Sequence, residues 1–104
     1  MNTEKLTDNL VLQFLTSLSG QCEKKISQEG IDLVRHYLRH DEFAMAFEVL
    51  FLELIEFNYL PEQTDIETWK KIGLHLGLDA ESVIDSTFWP KFIEFIEAQK
   101  DEPK

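Results

Sequence analysis

The stretch DEFAMAFEVLFLELIEFNY, Asp41–Tyr59, decides the fold of this chain. None of its nineteen residues is Lys, Arg, Gly or Pro, and twelve of its first seventeen are apolar. A helix with so broad an apolar surface must contact several other helices to bury it. The sequence therefore predicts an all-α fold, a compact bundle of five to six helices around a central hydrophobic third helix at about 41–57.

The charged residues of this predicted helix are all acidic and share one side of it. At 100° per residue its five carboxylates fall within a sector of roughly 140°. Acidity continues beyond the helix, because no Lys or Arg occurs between His40 and Lys70. A face of one sign predicts a docking surface, and aromatic residues at the helix exit are suitable anchors, with core packing as their alternative role. The predicted partner-binding residues are Asp41, Glu42, Glu48, Glu53, Glu56, Phe57, Tyr59, Glu62, Asp65 and Glu67.

Apolar residues at helical spacing place the other helices. A first helix is predicted from about Thr3 to Leu18, where Ser19 and Gly20 stop it. A second helix is predicted from a Ser27 cap to near His40, and Asp41 is the predicted N-cap of the third. The remaining predicted elements are a helix from Thr64 or Asp65 to about Leu76, a short helix from Asp79 through Ile84, a helix over Phe88–Gln99 and a disordered tail at 100–104.

Length and charge limit the possible functions. At 104 residues, the whole chain, 1–104, is predicted to form a single domain. Its formal net charge of −10 repels nucleic acid and anionic membranes and favours basic protein partners. Solubility alone is the alternative explanation of the acidity. The chain has no apolar run long enough to span a membrane and no secretion signal, so a cytoplasmic location is predicted.

No residue pattern indicates catalysis. His36 and His40 have the i, i+4 spacing of zinc ligands on a helix, but the general-base Glu of zinc proteases is missing between them. The single cysteine, Cys22, stands in a polar stretch without a neighbouring base. Four scattered glycines form no phosphate-binding loop. We therefore predict no enzyme activity and no catalytic, metal or cofactor site.

The segment Leu33–Ile55, LVRHYLRHDEFAMAFEVLFLELI, combines an apolar helix, a histidine-containing turn, an acid pair and a helix with small residues. In this arrangement it resembles the core of small bacterial immunity proteins of the MafI type and of related (CdiI-type) immunity proteins of contact-dependent growth inhibition. The resemblance covers about a quarter of the chain. Met45 and Phe47 depart from the family pattern, which leaves the subfamily and the cognate toxin open. The places of the pattern are filled here by Glu42, Phe43, Ala46, Phe47, Glu48 and Leu50, with Phe47 larger than the residue expected at its place.

The resemblance implies an antidote that protects the cell producing a toxin. Proteins of this kind bind the toxin's C-terminal domain, commonly a nuclease, and block its active site or an exosite. An acidic helical domain suits a nuclease, which is basic where it holds phosphates. The alternative is a regulatory or adaptor module that recognises another basic protein. A homodimer is a further possibility, because the broad apolar surface of the third helix can also pair two copies.

Overall fold

The computed structural model describes residues 6–100, without the side chain of Lys100. No strand occurs within this range, so the predicted all-α fold is confirmed. Lys100 belongs to the last helix, and the rest of the predicted tail, 101–104, lies outside the described residues. The helices are α1 (Asp8–Gln21), α2 (Gln28–Arg39), α3 (Phe43–Phe57), α4 (Ile66–His75) and α5 (Phe88–Lys100).

The third helix, α3, is the centre of the bundle, as predicted. It packs against α1, α2 and α5, and its Phe47 and Phe51 rings also meet Trp69 of α4. The side chains of Ala46, Phe47, Leu50, Phe51 and Leu54 are all fully buried. A helix that contacts every other helix can bury most of its circumference, which is why its sequence is apolar on so many sides.

Aromatic rings fill the core where α3, α4 and α5 meet. The ring centroid of Phe47 lies 4.8 Å from Phe51, 5.9 Å from Trp69, 6.2 Å from Phe88 and 5.3 Å from Phe92. All four pairs are tilted or edge-to-face, which suits the charge distribution of the rings. Phe47 therefore contacts rings from all three of these helices, and its removal would loosen the packing among them.

Hydroxyl and carboxylate side chains cap the starts of three helices. Thr7 accepts from the Leu10 N–H at the start of α1, and Ser27 and Asp65 do the same for α2 and α4. The predicted caps of α2 and α4 are therefore confirmed. The predicted range of the first helix is wrong at both ends, because it begins at Asp8 and runs through Gly20 to Gln21. A glycine costs a helix only about 1 kcal/mol, and one turn of packed helix outweighs that cost.

Three helices end in a residue with left-handed backbone, namely Asp41 (φ 58°), Asn58 (φ 50°) and Gly77 (φ 77°). In each case this residue's N–H donates to the carbonyl three positions earlier. The N–H of the following residue donates to the carbonyl five positions before that following residue, as Glu42 does to Tyr37. This is the Schellman motif, which satisfies the last free carbonyls of a helix. Asp41 consequently ends α2, and its predicted role as N-cap of α3 is wrong. Glu42 holds the N-cap position, without a side-chain hydrogen bond.

Gly73 allows α4 and α5 to approach each other closely. A Cβ atom at this position would lie 2.6 Å from Cζ3 of Trp89 and 3.3 Å from Cζ of Phe47. We expect Gly73→Ala to lower the free energy of unfolding by about 1–3 kcal/mol, because the Trp89 indole ring, which packs against the core, must shift to make room. Urea denaturation measures the loss.

Gly20→Ala is the matched control for Gly73→Ala. Gly20 is also helical, but a Cβ there meets no atom within 4 Å. Alanine should stabilise this position by about 0.5–1 kcal/mol, since it restricts the unfolded chain more than glycine does. Equal effects of the two substitutions would show that close helix approach at Gly73 is unimportant.

Candidate functional site

Glu48 lies inside the protein, and the prediction that it belongs to an exposed acidic face is wrong. Its side chain is fully buried. One carboxylate oxygen accepts from the Val83 N–H at 2.8 Å, and the other accepts from Ile84 at 2.9 Å and Asp85 at 2.6 Å. Three successive backbone N–H groups converge in this way at backbone anion-binding sites. They replace the water that the carboxylate loses on burial.

Glu53 is also engaged within the protein. Its Oε1 accepts from both the backbone N–H (3.1 Å) and the hydroxyl (2.8 Å) of Ser27, the N-cap of α2. It also lies directly over Gly30, where a Cβ atom would come within 2.5 Å of the Glu53 Cδ. This carboxylate therefore joins α3 to the start of α2, and only part of it remains accessible to a partner.

Most of the other predicted partner-binding residues lie at the surface. Phe57, at the end of α3, is 49% exposed, so the predicted alternative of core packing does not apply to it. Tyr59 is half-buried, packs against the core and has the Lys25 ammonium 5.4 Å above its ring. The structure thus separates the ten predicted residues into internal and surface groups. The exposed acids are Asp41, Glu42, Glu56, Glu62, Asp65 and Glu67.

Residues 81–87 form a loop, so the predicted short helix from Asp79 through Ile84 is wrong. Besides the three bonds to Glu48, the Ser82 hydroxyl donates to the Asp85 carbonyl at 2.6 Å. The Asp85 carboxylate in turn accepts from the N–H (2.9 Å) and hydroxyl (2.8 Å) of Thr87 and from Lys91 Nζ (2.8 Å). These bonds fix the loop from inside.

The Asp85 carboxylate should make stability depend on pH in the acid range. The Lys91 ammonium, followed by the N–H and hydroxyl of Thr87, lowers its pKa from 3.8 to about 2. Because the folded pKa is the lower one, this stabilisation is fully present above pH 3.8 and is lost as the pH falls towards about 2. We expect the melting temperature of Asp85→Asn to lie below that of the native protein near neutral pH.

The difference in melting temperature should shrink as the pH passes through this window. Thermal melts followed by circular dichroism at a series of pH values measure it. A difference that stays constant down to pH 2 would show that the Asp85 carboxylate is not bound to Lys91 and Thr87 in solution.

Two of the predicted acids, Asp41 and Glu42, converge with Asp8 of α1 around a surface groove of about 380 Å³. A second hollow of about 260 Å³ continues it, and Asp8 and Asp41 line both. Among residues 6–100, no Lys or Arg lines either hollow. We call the larger hollow the acidic groove, and it is lined by Asp8, Asp41, Glu42, Phe43, Ala44, Met45, Leu76 and Val83.

Sequence reasoning missed Asp8 and Val83 as members of this surface. Asp8 lies on a different helix from the acidic stretch, and no local pattern connects it with Asp41. Val83 lies in the segment predicted as a short helix, and that prediction does not place it beside the acids. Both come to the groove through tertiary packing, which explains why no sequence signal pointed to them.

The residues considered for catalysis or metal binding from the sequence are Cys22, His36 and His40. Cys22 is fully buried, and burial raises the pKa of its thiol to about 11, so it stays protonated. The exposed rings of His36 and His40 lie side by side with centroids 4.6 Å apart. Within residues 6–100, no group of three or more His, Cys, Asp or Glu side chains is arranged to hold a metal ion.

Comparison with known proteins adds no relative: no protein-family model, curated protein or solved structure matches this chain. The resemblance of the Leu33–Ile55 segment to immunity proteins therefore stays a prediction. None of the helices within residues 6–100 combines the length and the apolar character needed to cross a bilayer. The geometry of the surface is thus the main support for any proposal about function.

Proposed function

We propose that this protein is an immunity protein, which binds the C-terminal domain of a cognate bacterial toxin and neutralises it. The toxin domain would be a nuclease, whose basic active site or exosite the bound protein covers. The observation that carries the proposal is the acidic groove, where Asp8, Asp41 and Glu42 surround an apolar floor. Such a surface complements a protein segment with positive charge and apolar side chains.

The remaining exposed acids support fast association with a basic partner. Glu56 lies on the exposed side of α3, Glu62 precedes α4, Asp65 caps α4 and Glu67 lies in its first turn. A net charge of −10 speeds encounters with basic proteins at low ionic strength and slows encounters with nucleic acid. The buried Glu48 and the half-buried Glu53 add to the negative field of the protein, but their carboxylates are bound internally and do not contact the partner as the exposed acids do.

A binding function is a better proposal for this protein than a catalytic one. Glu48, the fully buried carboxylate, already accepts three backbone N–H groups, and the Cys22 thiol is buried and protonated. A catalytic acid, base or nucleophile must instead reach a substrate. We therefore propose a protein without enzymatic activity or cofactor that acts in the cytoplasm, where it would meet a toxin entering the cell or made there.

Co-expression tests the proposal. The protein is produced with the C-terminal domain of a candidate secreted toxin, and growth and co-purification are measured. Rescue of growth together with a stable complex is the expected result. A toxic domain that is neither bound nor neutralised overturns the proposal. A complex without rescue favours the alternative of an adaptor that recognises a basic protein.

A charge-matched pair of variants tests the position of the docking surface. The double variant Asp41→Asn/Glu42→Gln removes two charges from the acidic groove, and asparagine suits the left-handed backbone at 41. Glu29→Gln/Glu94→Gln removes two exposed charges elsewhere, so the net charge is the same. At low salt, association with the toxin domain should slow several-fold more in the groove variant. Equal slowing would mean that only net charge matters.

A further inference from the structure

We propose that Val83 and Ile84 form the apolar anchor of the docking surface, and that a cationic amphipathic segment of a protein partner occupies the acidic groove beside them. The identity of the partner that supplies this segment rests on the proposed function. The anchor itself is a property of the loop at residues 81–87 and can be tested separately.

The two side chains point away from the core although they are aliphatic. Val83 is 52% exposed and Ile84 is 46% exposed. Single exposed aliphatic residues are common on protein surfaces and need no explanation. Here two stand together in sequence, and the first of them, Val83, lines the acidic groove with Phe43, Met45 and Leu76. The apolar floor of the groove therefore continues out onto the loop.

The loop holds these side chains outward by directing its polar backbone inward. The N–H groups of Val83 and Ile84 both donate to the buried Glu48 carboxylate, while Ser82 and Asp85 close the loop on itself. A loop already ordered in the free protein loses little conformational freedom on binding. Branching at Cβ restricts the Val83 and Ile84 side chains further. Rigid apolar groups of this kind are efficient contacts in an interface.

Charge identifies the occupant. Asp8, Asp41 and Glu42 line the acidic groove, and no Lys or Arg within residues 6–100 lines it, so a segment carrying Lys or Arg is favoured there. Nucleic acid and anionic lipid are repelled by the same carboxylates. A second copy of this chain also carries a net charge of −10, which opposes self-association through this surface. The apolar floor additionally requires apolar side chains on the segment, and a basic amphipathic segment meets both requirements.

The test compares Val83→Ser/Ile84→Ser with Leu33→Ser as the control. Leu33 is 42% exposed, lies on α2 and lines none of the hollows around Asp8 and Asp41. The probes are the toxin domain, a fluorescein-labelled helical peptide of Leu and Lys, and poly-lysine as a probe of charge alone. Urea denaturation first confirms that each variant is folded. Fluorescence anisotropy then gives the affinities, and NMR of the labelled protein maps the peptide.

The double variant should bind the toxin domain and the Leu–Lys peptide roughly ten-fold more weakly, as expected when interface anchors are truncated. Poly-lysine binding, and all binding by Leu33→Ser, should stay within about two-fold of the native protein. The largest peptide-induced shifts should fall on the amides of Val83, Ile84 and the groove residues. If peptide binding depends on Val83 and Ile84 but no toxin is neutralised, the inference holds and the proposed function fails.

Three results would overturn the inference. The first is unchanged affinity of the double variant for both the toxin domain and the peptide. The second is a set of peptide-induced shifts that maps to another face of the bundle. The third is a native protein that dimerises on a sizing column while Val83→Ser/Ile84→Ser is monomeric, since a second copy would then be the occupant.

Discussion

Glu48→Gln should lower the free energy of unfolding by about 2–4 kcal/mol, because hydrogen bonds to a charged acceptor contribute more than those to a neutral one. The amide of glutamine has one oxygen to accept from the three N–H groups of Val83, Ile84 and Asp85. Its NH₂ group would face at least one of these donors. The unmatched donors are then left at a site from which the side chain excludes water, and each costs free energy.

Urea denaturation gives the overall loss, and amide hydrogen exchange at residues 83–85 reports on the loop directly. Glu56→Gln is the matched control, since Glu56 is an exposed glutamate on the same helix. It should change stability by no more than about 0.5 kcal/mol. If Glu48→Gln were equally mild and left exchange at 83–85 slow, the Glu48 carboxylate would not be what holds the loop.

The position of Glu48 shows where helical periodicity stops being informative. In a helical projection at 100° per residue, Glu48 joins the other acids chiefly because Asp41 falls beside it. Asp41, however, ends α2 and is not part of α3. Without Asp41, Glu48 is about 80° away from Glu56, the nearest remaining acid on the wheel. An isolated acid among apolar neighbours is a better candidate for burial than for docking. The error therefore began with a helix boundary, the least reliable feature of sequence reasoning.

The loop at residues 81–87 was not predicted, for a different reason. Asp79 followed by Val83 and Ile84 has the spacing of a short capped helix, and nothing nearby contradicts it. The competing acceptor for the loop's N–H groups is Glu48, 35 to 37 positions earlier in the chain. Backbone donors must find partners, but sequence does not show which distant side chain provides them. The apolar pattern of α3 predicted the architecture, because that depends on burial averaged over many residues.

The same distinction applies to the surface. Asp41, Glu42 and Glu56 are exposed because helical periodicity and the turn after α2 place them there. The acidic groove, however, needs Asp8 from α1 and Val83 from the loop, and these meet the acids only after the bundle has formed. A chain can thus reveal that it has an acidic face without revealing the shape of that face.

Phe47→Ala should cost about 3–5 kcal/mol, the range for truncating a buried phenylalanine. The substitution leaves a cavity among the rings of Phe51, Trp69, Phe88 and Phe92, to which three helices contribute. Total stabilities of 5–15 kcal/mol are usual, so the loss is a large part of the whole. At about 4 °C per kcal/mol, the melting temperature should fall by about 12 °C or more.

Phe57→Ala provides the control for Phe47→Ala, because Phe57 ends the same helix and is 49% exposed. It should cost much less than Phe47→Ala, since about half of the Phe57 surface already contacts water. Phe47→Leu should give an intermediate loss and stay folded if alanine is not tolerated. Similar losses at 47 and 57 would contradict a core centred on Phe47. Suppose that Phe57→Ala is nearly as stable as the native protein but binds the toxin domain more weakly. Phe57 would then belong to the docking surface, because the fold of the variant is intact.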